Sequence, residues 1–334
     1  MASVKNDRKR KKLIKLAVTL IALLIMSILG ITIPSEDIEE QGTPSTTVHT
    51  NTEQQQTETE DHQKGELILT MIDVGQADSF LLEFGNETAL IDCGTNSAGE
   101  DIVQYLQQKG ITQIDYVFGT HPHDDHMGGM LDVITQFEIG KIIIPNIKEE
   151  HAQTNWYKKL IKEIKDGDYQ VEYVELDAIY SLGDAEIMVI GPISDPGNEK
   201  NNYSTVLKVS FGDNQIIFTG DAETPVEREI LQSGQDIQAE ILKVGHHGSD
   251  TSNSTEWLEA INPTYALISC GLGNKHEHPI EEVMQRFEER GIKVYRTDEC
   301  GTVVVTITET DINFNCNPGD YLSGTELAER EDVK

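Results

Sequence analysis

The sequence predicts an α+β fold, a four-layer αββα sandwich in which two sheets pack face to face under helices on both outer surfaces. Three observations lead there. The domain opens with three short apolar strands joined by Gly-containing turns, the pattern of an antiparallel meander. A second β-rich stretch starts with a hairpin near residue 205. In both halves, helix-period segments then alternate with apolar strands.

In chain order, strands are expected at Leu67–Val74, Ser79–Phe84 and Thr88–Asp92, followed by helix 99–109, strand 115–120, helix 127–137 and strand 141–146. Asn155–Lys165 reads as a helix, and 169–176 and 185–191 as strands. The hairpin pairs Thr205–Phe211 with Gln215–Thr219 through Gly212-Asp213-Asn214. Helix 225–233, strand 239–244, helix 254–261, strand 265–270 and helix 279–290 lead to a closing hairpin, Thr302–Thr308 with Asp311–Asn315. No internal repeat is present. The folded domain is therefore set at 66–316, and the polar, acidic stretch 317–334 is expected to be a flexible tail.

Before the domain, residues 1–12 form a basic segment carrying Lys5, Arg8, Lys9, Arg10, Lys11 and Lys12. Residues 13–33 read as a transmembrane signal anchor, with no charge between Leu16 and Ile33. The positive flank stays in the cytoplasm, which makes the chain a single-pass membrane protein with an extracytoplasmic domain. Secretion after signal cleavage is the alternative, although no clear Ala-x-Ala site follows. Residues 34–65, rich in Thr, Gln, Glu and Ser, read as a disordered acidic spacer, with His49 and His62 solvated. Between Glu66 and Cys316 there are 44 acids and 16 bases, a balance of −28. Such a surface repels polyanions and disfavours tight nucleic-acid binding. Cys300 and Cys316 flank the closing hairpin, where a disulfide and two free thiols are both open. The sequence specifies no oligomeric state.

The chain is organised around Thr120-His121-Pro122-His123-Asp124-Asp125-His126, at the carboxyl end of a predicted strand, where α/β folds place their sites. In a tight turn His121 and His123 grip one cation while Asp125 and His126 face a second. Imidazole and carboxylate donors suit zinc, manganese or iron and leave a position open for water. In Ile216–Asp221 an apolar strand runs into Gly-Asp, placing a carboxylate where it can bridge two cations. In Ile241–Ser249 a strand runs into His246-His247. One of these histidines completes the second site. His246 is taken as the ligand and His247 as its neighbour and proton donor.

The His-x-His-x-Asp-His run resembles the signature of the metallo-β-lactamase superfamily, whose fold is the αββα sandwich. Ile72-Asp73-Val74-Gly75-Gln76-Ala77-Asp78-Ser79, Asn201-Asn202-Tyr203-Ser204, His246-His247-Gly248-Ser249 and Asn274-Lys275-His276-Glu277-His278-Pro279 resemble the ComEC-type competence hydrolase branch. The resemblance implies a dinuclear centre ligated by His121, His123, Asp125, His126, His246 and a bridging Asp221. Asp73, Gln76, Asn202, Ser204 and Ser249 would support ligands or substrate, and His278 would face the cavity. Asp92 would brace the histidine loop, and Asp124 would stay uncoordinated. Classical members supply a third histidine to the first ion from the region of Asn201–Ser204, which has none. Zinc is the first expectation for both ions, and the oxygen-rich first site makes manganese a rival.

Two cations holding a bridging water lower its pKa and clamp phosphoryl or carbonyl oxygens. Asp125 would orient that water, and His247 or His278 would protonate the leaving group. The expected activity is hydrolysis of a phosphodiester, in DNA, a small molecule or a cell-wall polymer. Lactam, lactone or other ester and amide hydrolysis on the same site is the alternative enzyme reading. A non-catalytic surface binding module is the third.

Overall fold

The computed structural model describes residues 65–148 and 153–332. The expected basic segment, anchor and spacer lie outside them. Among the described residues no helix is long and apolar enough to cross a membrane.

One sheet of eight strands runs β15-β14-β1-β2-β3-β4-β5-β6. Its strands are β1 (Leu67–Met71), β2 (Phe80–Phe84), β3 (Glu87–Ile91), β4 (Gln113–Phe118), β5 (Glu138–Ile144), β6 (Val171–Tyr173), β14 (Val303–Ile307) and β15 (Ile312–Phe314). The other, of seven, runs β13-β12-β11-β10-β9-β8-β7. It comprises β7 (Ile179–Leu182), β8 (Ala185–Gly191), β9 (Val206–Phe211), β10 (Asn214–Phe218), β11 (Ile241–Lys243), β12 (Tyr265–Ile268) and β13 (Lys293–Arg296).

Strand alternation sorts the side chains into three apolar layers. Leu67, Leu69, Met71, Phe80 and Leu82 meet Val189, Leu207, Val209 and Phe218 between the sheets. The Phe80 and Phe218 rings touch edge to face, with centroids 5.4 Å apart. The opposite face of the first sheet, with Leu81, Leu90, Val117 and Ile142, packs on α1 (Gly99–Gln108), α3 (Met130–Gln136) and α4 (Asn155–Asp166). The outer face of the second packs on α5 (Thr224–Ser233), α6 (Thr255–Ile261) and α7 (Glu281–Arg290) through Ile230, Trp257 and Phe287. The four-layer sandwich is therefore the observed architecture.

Three details differ from expectation. The helix expected at 127–137 is divided into α2 (Asp124–Met127) and α3, separated by Gly128 and Gly129. Strand β7 was not anticipated, although Tyr180 and Leu182 alternate inward between exposed neighbours. Within the stretch 317–334 expected to be a flexible tail, the described residues are ordered: after α8 (Thr297–Cys300) and the last hairpin, Gly324–Asp332 forms α9. Ser323 and Glu326 cap it reciprocally, Glu326 N donating to Ser323 Oγ at 3.2 Å and Ser323 N to the Glu326 carboxylate at 2.8 Å. Leu327, 2% exposed, anchors the helix.

Candidate metal centre

The centre lies at the carboxyl ends of β3, β4, β10 and β11. Parallel pairing sets Ile91 beside Phe118, so Asp92 and the histidine loop leave the sheet together. The Asp92 carboxylate accepts from Thr120 N at 2.8 Å and from Thr120 Oγ1 at 2.7 Å, and sits 2.7 Å from His126 Nδ1. That contact makes Nδ1 the protonated nitrogen of His126 and turns Nε2 inward. His121 Nδ1 lies 3.2 Å from Thr120 Oγ1 and from Ser204 Oγ, which directs its Nε2 to 3.0 Å from His123 Nδ1. Asp124 faces away, accepting from Asn96 N at 3.3 Å.

The second sheet supplies the remaining donors. Phe218 of β10 pairs with Lys243 of β11, which sets Gly220-Asp221 beside the 245–248 turn. Ser204 Oγ accepts from Asp221 N at 2.9 Å. The two oxygens of Asp221 face different ways. Oδ1 lies 3.1 Å from His126 Nε2 and 3.7 Å from His247 Nε2. Oδ2 lies 3.7 Å from His121 Nε2 and 3.7 Å from His246 Nε2. Two donor sets thus share Asp221: His121, His123 and Asp221, and Asp125, His126, Asp221 and His247.

These residues fit a pair of divalent cations. His126 Nε2, His247 Nε2 and Asp221 Oδ1 are buried and make no well-aligned hydrogen bond, and all three converge on one point. The electrostatics agree. Burial alone would raise Asp221 and Asp125, but His126 and His247 outweigh it and hold both carboxyls below their usual range. Burial would likewise lower His126 and His247. The surrounding carboxylates reverse this, pushing His247 up to about 10 and His126 well above its ordinary value. Two imidazoles that hold protons so firmly mark places where positive charge is stabilised.

The second donor set takes its histidine from His247 rather than His246. Both residues are left-handed, with φ of 51° and 53°. Their turn is held by Gly248, whose added Cβ would come within 2.5 Å of Pro279. It sends the second ring inward, where His247 Nδ1–H donates to Ser269 O at 2.9 Å, and leaves His246 at the rim on Thr251 Oγ1 at 3.1 Å. The proton-donor role expected of His247 gives way to a ligand position.

Other expected residues support the site from further off. Asp73 is exposed and accepts from Gly75 N at 3.2 Å, so it caps its own turn and does not reach the ligands. Gln76 Oε1 accepts from Gly271 N at 3.1 Å, and Asn202 Oδ1 from Glu223 N at 3.1 Å. Ser249 Oγ lies 3.1 Å from Thr251 Oγ1, which in turn holds His246. His278 is brought to the site, its ring centroid 5.4 Å from that of His246 and its buried Nδ1 unpartnered.

Two residues went unrecognised. Asp78, 1% exposed, lies 3.3 Å from His247 Nδ1 and 2.7 Å from Lys243 Nζ. Lys243, also 1% exposed, donates to Val244 O at 2.8 Å and Gly220 O at 3.3 Å. The available signal was an acid and a lysine each embedded in an apolar strand context, Ala77-Asp78-Ser79-Phe80 and Ile241-Leu242-Lys243-Val244.

With this geometry in place, residues 72–272 match the metallo-beta-lactamase superfamily. The chain belongs to that superfamily. This superfamily member is 30% identical over 253 residues to ComE operon protein 3 of Bacillus subtilis, covering 70% of this chain and 32% of that protein. It is 31% identical over 242 residues to competence protein ComA of Neisseria gonorrhoeae, covering 72% of this chain and 32% of that protein. The chain thus spans about a third of the length of these relatives. Among solved structures it is similar to the metallo-beta-lactamase fold protein YhfI from Bacillus subtilis, with TM-score 0.46 and 11% identity over 75% of this chain and all of that one.

Proposed function

We propose that this metal-dependent hydrolase is a phosphodiesterase, anchored in the membrane by its N-terminal apolar stretch with the domain outside. The observation that carries the reading is the pair of donor sets sharing Asp221, in a chain whose motifs resemble the competence branch. The name of one relative, competence protein ComA of Neisseria gonorrhoeae, supports the same branch. When bound, two divalent cations would supply Lewis acidity towards phosphoryl oxygens and lower the pKa of a water between them. Zinc is the first candidate. The first donor set, with two histidines and one carboxylate, supports manganese as the rival.

The chain's own residues do the rest. Asp125, held as a carboxylate and 33% exposed at its side chain, would accept a hydrogen bond from the attacking water and so orient it. His246 at the rim faces the incoming diester. His278, pushed down to about 4 by burial and by the neighbouring His246, is neutral at pH 7 and serves substrate oxygens as a hydrogen-bonding group rather than as a cation.

The test is metal analysis of the purified chain, followed by assay on a bis-aryl phosphodiester, DNA and a lactam panel. Metal-dependent cleavage of the diester that vanishes in folded His123→Ala is the expected result. Lactam turnover without diester turnover would replace the reading, and metal-free protein without turnover would end both.

A further inference from the structure

The 16 basic residues of this acidic domain are unevenly placed. Four of them, Lys158, Lys159, Lys162 and Lys165, lie on the twelve residues of α4. Lys158, Lys162 and Lys165 share one helix face, about 10 Å from end to end, and all three are exposed. They line a cleft of about 710 Å³ against Pro145, Asn146 and Tyr173. Tyr173, 57% exposed, sits on the edge strand β6. Among the described lining residues the acid is Asp166, which pairs with Lys162.

This cleft shares two lining residues with a neighbouring one. Pro145 and Asn146 also line a second cleft of about 350 Å³, whose lining includes Tyr203, between Asn202 and Ser204. Pro145 follows β5 directly, and β5 lies against the start of the histidine loop, Gly119 N donating to Ile143 O at 2.9 Å. Lys148 and Asp195 pair at 3.0 Å within the second cleft, so this stretch is close to neutral. A polyanion repelled by most of the domain is attracted at the lysine face of α4 and meets little charge beside Pro145 and Asn146.

We propose that the cleft lined by Lys158, Lys162, Lys165 and Tyr173 binds a single-stranded nucleic acid and directs it past Pro145 and Asn146 to the metal centre. The assignment rests on the phosphodiesterase reading. The lysines match the backbone phosphates, and the exposed Tyr173 ring offers a base a stacking face, the combination that single strands use. A polyol-phosphate polymer shares the charge but has no base to stack.

The test compares the full chain, purified in detergent and loaded with Mn²⁺, with Lys158→Gln/Lys162→Gln/Lys165→Gln and with Tyr173→Ala. The probes are a labelled single-stranded oligodeoxynucleotide, a polyol-phosphate polymer and a bis-aryl diester. The triple variant should lose on the order of tenfold in oligonucleotide affinity by anisotropy, and its log affinity should depend on log salt less steeply by about two. Tyr173→Ala should weaken the oligonucleotide alone. Hydrolysis of the bis-aryl diester should be unchanged in both variants. Unaltered affinity and salt slope in the triple variant would overturn the groove. Equal losses on the polyol-phosphate polymer, with a silent Tyr173→Ala, would overturn nucleic acid as its occupant. A wild-type chain that leaves the bis-aryl diester intact would instead end the phosphodiesterase reading, while anisotropy still decides the groove.

Discussion

Replacing Lys243 with Met should destabilise the domain by about 3 kcal/mol, the lower end of the cost of breaking a buried ion pair by removing one partner. Lys243 and Asp78 are each 1% exposed and 2.7 Å apart, so the substitution strands a carboxylate with no water to receive it. The lower end applies because His247 Nδ1, 3.3 Å from the other Asp78 oxygen, remains as a partial partner. Two carbonyls also lose their donor, Val244 O and Gly220 O, the latter beside Asp221. The double variant Asp78→Asn/Lys243→Met removes charge from both sides and should recover more than half of the loss, because most of the penalty is the orphaned charge rather than the lost pair. Urea unfolding of the metal-free folded domain, read by tryptophan fluorescence, gives both numbers. A single-variant loss under about 1 kcal/mol, or a double variant no more stable than the single, would refute a pair that matters by charge compensation.

His247→Ala should reduce the bound metal from two ions to one per chain, whereas His246→Ala should keep more of the second ion; elemental analysis of dialysed protein distinguishes them. Asp92→Asn should weaken metal affinity by about 10- to 100-fold, as loss of a carboxylate that orients a ligand histidine does, and calorimetric titration with Zn²⁺ measures it. Stability of the metal-free domain should fall as pH rises from about 6.5 to about 10. The raised His247 contributes fully below its unfolded value and loses that contribution on passing its folded one, which thermal melts across pH will show. Ser323→Ala should cost about 1 kcal/mol by uncapping α9, seen as a lower urea midpoint.

The parts of the fold and site that were legible in the sequence are those written locally. The histidine loop holds five potential donors in six positions, strands β8 and β9 alternate over enough residues to be read directly, and β10 reads as an apolar run after its turn. Helix α9 was also written locally, in Ser323-Gly324-Thr325-Glu326, and was obscured by the acidic composition around it. The choice between His246 and His247 was not local. Spacing along a strand does not reveal two successive left-handed residues, and their turn depends on Gly248 meeting Pro279 from the loop before α7. Asp73 and Asp78 stand in one motif, yet only Asp78 reaches the centre, because its partner Lys243 arrives from the other sheet. Pairings between sheets are fixed by packing, which a single sequence does not display.

That same cross-sheet packing explains why the centre calls for cations. Asp78, Asp92, Asp125 and Asp221 converge on it, and the buried Lys243, in contact with Asp78, compensates one charge. Without metal, the remaining negative charge is met by protons on His126 and His247, both held well above an ordinary imidazole. A divalent ion entering the second donor set must displace those protons from the nitrogens it binds, so metal uptake releases protons and strengthens as pH rises. The carboxylates that make these histidines basic are therefore also what make the vacated nitrogens good ligands. Asp78→Asn should separate the two effects: by removing one carboxylate it should lower the proton release per bound ion at pH 7 while leaving the donor set itself intact. Calorimetry in buffers of different ionisation enthalpy measures that release, and a count unchanged from wild type would show that Asp78 does not set the charge state of His247.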